Sequence, residues 1–233
     1  MRLTPYLHYF FYIAWHWNPV LASFIIYHEI RGEKKYHIHT IGEDELKGLK
    51  KRGIDISHAT MYMPVNYYML DHLMREIIKY RDIEAFLDIG CGKGRVLVVA
   101  SAYGFKEILG IDFSKEFCEE ADATVQLYSK KNPASTFTIT NIDAFYYEIP
   151  KNVATIFLFN PFDEVIMAKV VSNIIKSLER YPRTVRVLYA NAQHKSLFLD
   201  KGFVEIYHFK KLNYSEGIIL QREAGQQLME SGR

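Results

Sequence analysis

The stretch between Glu84 and Asp112 limits the folds open to this chain more than any other. Five apolar-rich residues, Ala85-Phe86-Leu87-Asp88-Ile89, read as a strand and run into a turn with glycines at 90, 92 and 94. An apolar helix follows, and a second strand ends in a lone carboxylate at Asp112. This is the outline of a nucleotide-binding β-α-β unit. Glycines suit the turn because it needs positive φ and lets backbone N–H groups approach a ligand, while the following helix N-terminus offers unpaired donors and partial positive charge. At the tip of the neighbouring strand, Asp112 is placed to accept both hydroxyls of a ribose.

The spacing is Gly-x-Gly-x-Gly, and Arg95 stands where a dinucleotide-binding turn would carry its third glycine. That disfavours NAD-dependent oxidoreduction. Asp88, two residues before the first glycine, would repel a pyrophosphate and suits a ligand with a cationic amino-acid end. The run from Asp88 to Gly94 resembles the first motif, Asp-x-Gly-x-Gly-x-Gly, of the class I S-adenosylmethionine (SAM)-dependent methyltransferases. A glycine turn in another α/β protein is the alternative.

The resemblance spans roughly residues 62–223. It implies an α/β fold, a doubly wound, mostly parallel seven-strand sheet with an antiparallel C-terminal hairpin, and SAM as cofactor. Asp88 with the backbone of Gly90, Cys91, Gly92 and Gly94 would hold the methionine end, and Asp112 the ribose. Asp143 would take the exocyclic amine of adenine, with Phe113 and Ile142 sandwiching the ring. Singly, an Asp at a strand end is more often a cap or turn residue.

A later strand, 154–159, runs into Asn160-Pro161-Phe162. This is similar to the Asp/Asn-Pro-Pro-Tyr/Phe motif of class I enzymes that methylate amino nitrogens, with one proline fewer. The resemblance implies catalytic roles for Asn160, Pro161 and Phe162: oxygen acceptors orient the target amine, and an aromatic ring stacks on it. Tyr62 and Pro64, in a Tyr-x-Pro similar to that of some protein-lysine methyltransferases of this fold, are expected to fold over the cofactor pocket. Plain strand-ending and packing roles are the competing readings of both motifs. The activity implied is methyl transfer to nitrogen, with protein lysine or another amine as first choice of acceptor. A nucleic-acid base, a small molecule, or a non-catalytic SAM-binding role with an N-terminus that attaches to a partner or membrane are the alternatives.

The 233 residues allow one large domain and an appendage. The reading divides them into a helical N-terminal extension (1–60), a SAM-binding domain (61–223) and a polar tail (224–233). A net charge of +2 gives no argument for stable nucleic-acid binding. Two cysteines, Cys91 and Cys118, make no disulfide framework, which fits a cytoplasmic protein. His37 and His39 read as surface residues, and no metal is expected. Residues 6–27 lack Lys, Arg, Asp and Glu but are broken by Asn18-Pro19, which predicts two short helices packed on the main domain or on a second copy of the chain, through Trp15, Trp17, Phe24 and Ile25; interfacial membrane contact is the lesser reading. Helices are expected at 43–53, 67–80, 94–103, 115–131, 164–181 and 193–201. Strands are expected at 85–89, 107–112, 136–142, 154–160 and 184–190, followed by a hairpin near 202–221.

Overall fold

The computed structural model describes residues 4–41, 63–80, 85–159 and 162–225. Two helices come first, α1 (Thr4–His16) and α2 (Pro19–Tyr36). Asn18 separates them because its side chain accepts the Leu21 N–H at 2.8 Å and Pro19 opens the next helix. A third helix, α3 (Tyr67–Ile77), starts in the same manner, with Asn66 accepting from Met69 N–H. The alternation follows: β1 (Ala85–Ile89), α4 (Arg95–Ala102), β2 (Glu107–Asp112), α5 (Lys115–Ser129), β3 (Thr136–Asn141), β4 (Val153–Phe159), α6 (Glu164–Arg180), β5 (Val185–Ala190), α7 (Lys195–Leu199), β6 (Val204–Lys211) and β7 (Ser215–Arg222).

The seven strands form one sheet in the order β3-β2-β1-β4-β5-β7-β6. β1 to β5 pair in parallel, and β7 runs antiparallel to both β5 and β6. The order reverses between β1 and β4, and in a doubly wound sheet such a switch point opens a crevice at the strands' carboxyl ends. β1 and β5 are buried along their whole length, as central strands covered on both faces must be. The side chains of β1 and β4 divide with period two. Phe86 and Phe157 face one core with Leu70, Leu73 and Leu97, while Leu87 and Ile156 face the other with Met167, Val170 and Ile174.

The N-terminal helices depart from expectation in two respects. α2 runs to Tyr36, well past the apolar stretch, because Glu29, Gly32 and Glu33 are buried against the main body. α1 turns Tyr6, Tyr9 and Ile13 inward and leaves Leu7, Phe11 and Trp15 outside, so Trp15 is 88% exposed and does not pack on the core. Among the described residues no helix is long and apolar enough to cross a membrane. The helix expected at 43–53 lies outside the described residues.

Candidate active site

The turn after β1 is built from three left-handed glycines, with φ of 84° at Gly90, 49° at Gly92 and 82° at Gly94. The Gly90 and Cys91 N–H groups both bond the Ile111 carbonyl at 2.9 Å, which ties the turn to the end of β2. Gly92 N–H donates to Asp112 Oδ2, also at 2.9 Å. The donors expected to face a ligand are therefore largely spent within the protein. Gly94 serves packing: a Cβ there would lie 3.1–3.2 Å from Ala121 on α5.

Asp112 is fixed from both sides, since its Oδ1 accepts the Ser114 N–H at 2.9 Å while Oδ2 holds Gly92. Burial raises its pKa to about 6 despite these hydrogen bonds. Asp88 is 2% exposed, and its Oδ2 has no hydrogen-bond partner. Burial first, and the charge of Asp112 second, push its carboxyl well above the ordinary carboxylate range. Two buried carboxylates in one pocket, one of them unsatisfied, make a site for a cation.

Both carboxylates line a pocket of about 90 Å³ at the carboxyl ends of β1, β2 and β4. Pro64, Gly90, Cys91, Gly92, Phe113, Ile142 and Phe162, also named from the sequence, line the same pocket. Burial pushes the Cys91 thiol up, so it lines the wall as an inert group. Gly94 and Asp143 do not line the pocket. Asp143 is exposed and its Oδ1 accepts the Phe145 N–H at 2.8 Å, the behaviour of a turn residue, while its neighbours Ile142 and Ala144 face the pocket. Tyr62, Asn160 and Pro161 lie outside the described residues.

Sequence reasoning used Arg95 only as a missing glycine, yet it is the residue that joins the pocket to the N-terminal helices. It is 3% exposed and lines the pocket. Its Nη1 lies 2.9 Å from Glu29 Oε1 and its Nη2 2.7 Å from Glu29 Oε2. Nε donates to Thr40 Oγ1 and Nη1 to the Val65 carbonyl, each at 2.7 Å, and the guanidinium sits 4.2 Å from the Tyr67 ring centroid. Glu33, one turn along α2, accepts from Tyr6 Oη and from the Thr40 and Ile41 N–H groups, and contacts His39 Nδ1 at 3.0 Å. Glu29 and Glu33 stand one turn apart on α2, in its charged C-terminal half, where the sequence does not set them apart from the neighbouring Arg31, Lys34 and Lys35.

Residues 87–193 match the profile of a family described as methyltransferase domain. Solved structures of similar fold include a ribosomal protein L11 methylase from Lactobacillus delbrueckii subsp. bulgaricus, 12% identical, covering 68% of this chain and 80% of that one at a TM-score of 0.52. A putative methyltransferase, yhhF, from Escherichia coli is 14% identical over 69% of this chain and 91% of that one, at 0.51. The StiE O-MT structure is 12% identical over 71% and 77%, at 0.54. At these identities the likeness is one of fold. No curated protein matches the sequence. The matched segment contains the glycine turn, both pocket carboxylates and β4, and the seven-strand sheet around it is an α/β, Rossmann-like fold shared with these methyltransferase structures.

Proposed function

We propose that this protein transfers a methyl group from SAM to an amine nitrogen. The observation that carries the cofactor assignment is the unsatisfied Asp88 carboxylate beside Asp112, since SAM brings an ammonium and a sulfonium to that end of the pocket. When bound, SAM supplies a methyl group whose bond to sulfur breaks with its electron pair left on sulfur, while the acceptor's lone pair forms the new bond. Asp88 receives the cationic amino-acid end, and Asp112, oriented by Gly92 and Ser114, receives the ribose. The enclosed space is smaller than the whole cofactor, and the half-buried Phe113 and Ile142 would hold its base. Phe117, Phe157, Phe159 and Phe162 keep water from the reacting end.

Support for nitrogen as acceptor comes from Asn160-Pro161-Phe162. The motif directly follows β4, and Phe159 and Phe162 on either side of its first two residues line the pocket. An amide oxygen there would accept from the target N–H and aim its lone pair, and the proton lost from the amine passes to water. Incubating the pure protein with methyl-labelled SAM and cell fractions separated into protein, nucleic acid and small molecules tests the reading. Label on amine nitrogen supports it, and label exclusively on oxygen or carbon refutes it. A second reading, a SAM-binding protein that attaches to a partner or membrane, is favoured by the exposed Leu7, Phe11 and Trp15 stripe. It predicts cofactor binding with no label transferred to any fraction.

A further inference from the structure

A second cavity, of about 230 Å³, adjoins the cofactor pocket and shares Met63, Pro64 and Phe159 with it. The N-terminal helices form one wall through Tyr9, Ile13, Leu21 and Ile25. The hairpin turn between β6 and β7 forms the opposite wall through Asn213 and Tyr214, and Asn191 closes the end of β5. Asn191 and Asn213 both hold left-handed backbone, φ 53° and 59°, a conformation that asparagine tolerates better than most residues. The Asn191 N–H bonds the Glu216 carbonyl at 2.8 Å, which pins the hairpin over the cavity. Nothing in the methyl-donor pocket requires this chamber. It is larger than the donor pocket, and the consecutive left-handed residues Leu212 and Asn213, φ 52° and 59°, make the hairpin turn that sets Tyr214 in its wall.

We infer that this chamber is the acceptor site and that it takes an amine carried on an apolar body, either a small molecule or a lysine side chain. The inference rests on the methyl-transfer reading above. Three features of the lining select that chemistry. First, the walls are mainly aliphatic and aromatic, which suits a ring or a methylene chain. Second, among the described residues they hold no Lys, Arg or His, and their one charged residue is Glu216, itself 3.1 Å from His208 Nε2 and 3.4 Å from Lys210 Nζ. A phosphate-bearing acceptor would find no cation there, whereas an ammonium meets no repulsion. Third, the volume corresponds to about eight waters at roughly 30 Å³ each, room for a single ring or a lysine-length chain.

The test uses the full chain saturated with S-adenosylhomocysteine and titrated calorimetrically with n-butylamine, benzylamine, a short lysine peptide and a mixed-sequence oligonucleotide. At least one amine should bind, and binding by the free amines or by the peptide tells which source the chamber serves. Ile25→Trp, which fills the chamber from a half-buried position, and Tyr214→Ala, which opens its exposed wall, should each weaken that amine by about 10-fold or more. S-adenosylhomocysteine affinity should be unchanged in both. Amine affinity equal to the parent in both variants overturns the inference, as does binding of the oligonucleotide alone or of no probe. Failure of the parent to bind S-adenosylhomocysteine instead refutes the cofactor reading on which it rests.

Discussion

Arg95 and Glu29 form a two-pronged ion pair in which neither side chain is more than 3% exposed. Through it the helix that follows the glycine turn is bonded to the N-terminal helices. Removing one partner strands a buried charge, so Glu29→Ala should destabilise the protein by about 3–5 kcal/mol. Replacing both, as Glu29→Leu with Arg95→Met, should recover most of that loss. Urea unfolding of the single and double variants measures the difference, and a double variant as unstable as the single would show that charge pairing is not the source.

Gly32 on α2 lies flat against Tyr67. A Cβ at that position would stand 2.1 Å from the ring, inside any tolerated contact, and Tyr67 is itself held between Tyr36 and Arg95. Gly32→Ala therefore gains helix propensity but forces the two helices apart. We expect a net loss of about 1–3 kcal/mol, read from thermal or urea unfolding.

Asp112→Ala removes the proposed ribose acceptor and also frees the Gly92 and Ser114 N–H groups. S-adenosylhomocysteine affinity should fall by about 30- to 1,000-fold, the equivalent of about 2–4 kcal/mol. Calorimetry provides the check, and parent-like affinity would remove Asp112 from the cofactor site.

Cofactor affinity should depend on pH through the pocket carboxyls. In the free protein Asp112 titrates at about 6 and Asp88 is raised well above the carboxylate range, so both hold protons in mild acid. A bound cation favours their ionised forms, hence binding releases protons and tightens as pH rises through 6, by up to about tenfold per unit and proton. The stability of the free protein moves the other way. Raised carboxyls contribute stability below the unfolded value of 3.8 and lose it as pH rises through about 6. The thermal shift produced by S-adenosylhomocysteine should thus widen between pH 5 and pH 8. Asp88→Asn should flatten that dependence, and an equally steep profile in this variant would place the linkage elsewhere.

The sheet was readable in the sequence because its signals are local. The strands flank glycine and asparagine turns, and β1, β4 and β5 are short apolar-rich runs whose ends the structure reproduces within a residue or two. The turn from Asp88 to Gly94 was readable for the same reason. Asp143 was less legible, because a strand-end aspartate that caps its own turn looks the same in sequence as one facing a ligand. The N-terminal helices were harder still. Glu29 and Glu33 look like solvent-facing charges until Arg95, Thr40 and Tyr6 are brought beside them, and no local pattern announces such partners. For Trp15 the sequence left the core and a second copy of the chain open, and helical geometry gives the inner face to Tyr6, Tyr9 and Ile13.

The separation of 66 residues between Glu29 and Arg95 also sets an order of events during synthesis. At about 5–20 residues per second, α2 is made roughly 3–13 s before its guanidinium partner exists. In that interval α1 and α2 join through Tyr9, Ile13, Leu21 and Ala22, and Glu33 already has Tyr6, Thr40 and Ile41 within the same stretch, so Glu29 alone waits for its partner. The final seating of the helix pair is therefore a late step of folding on the ribosome, completed only after the glycine turn has emerged.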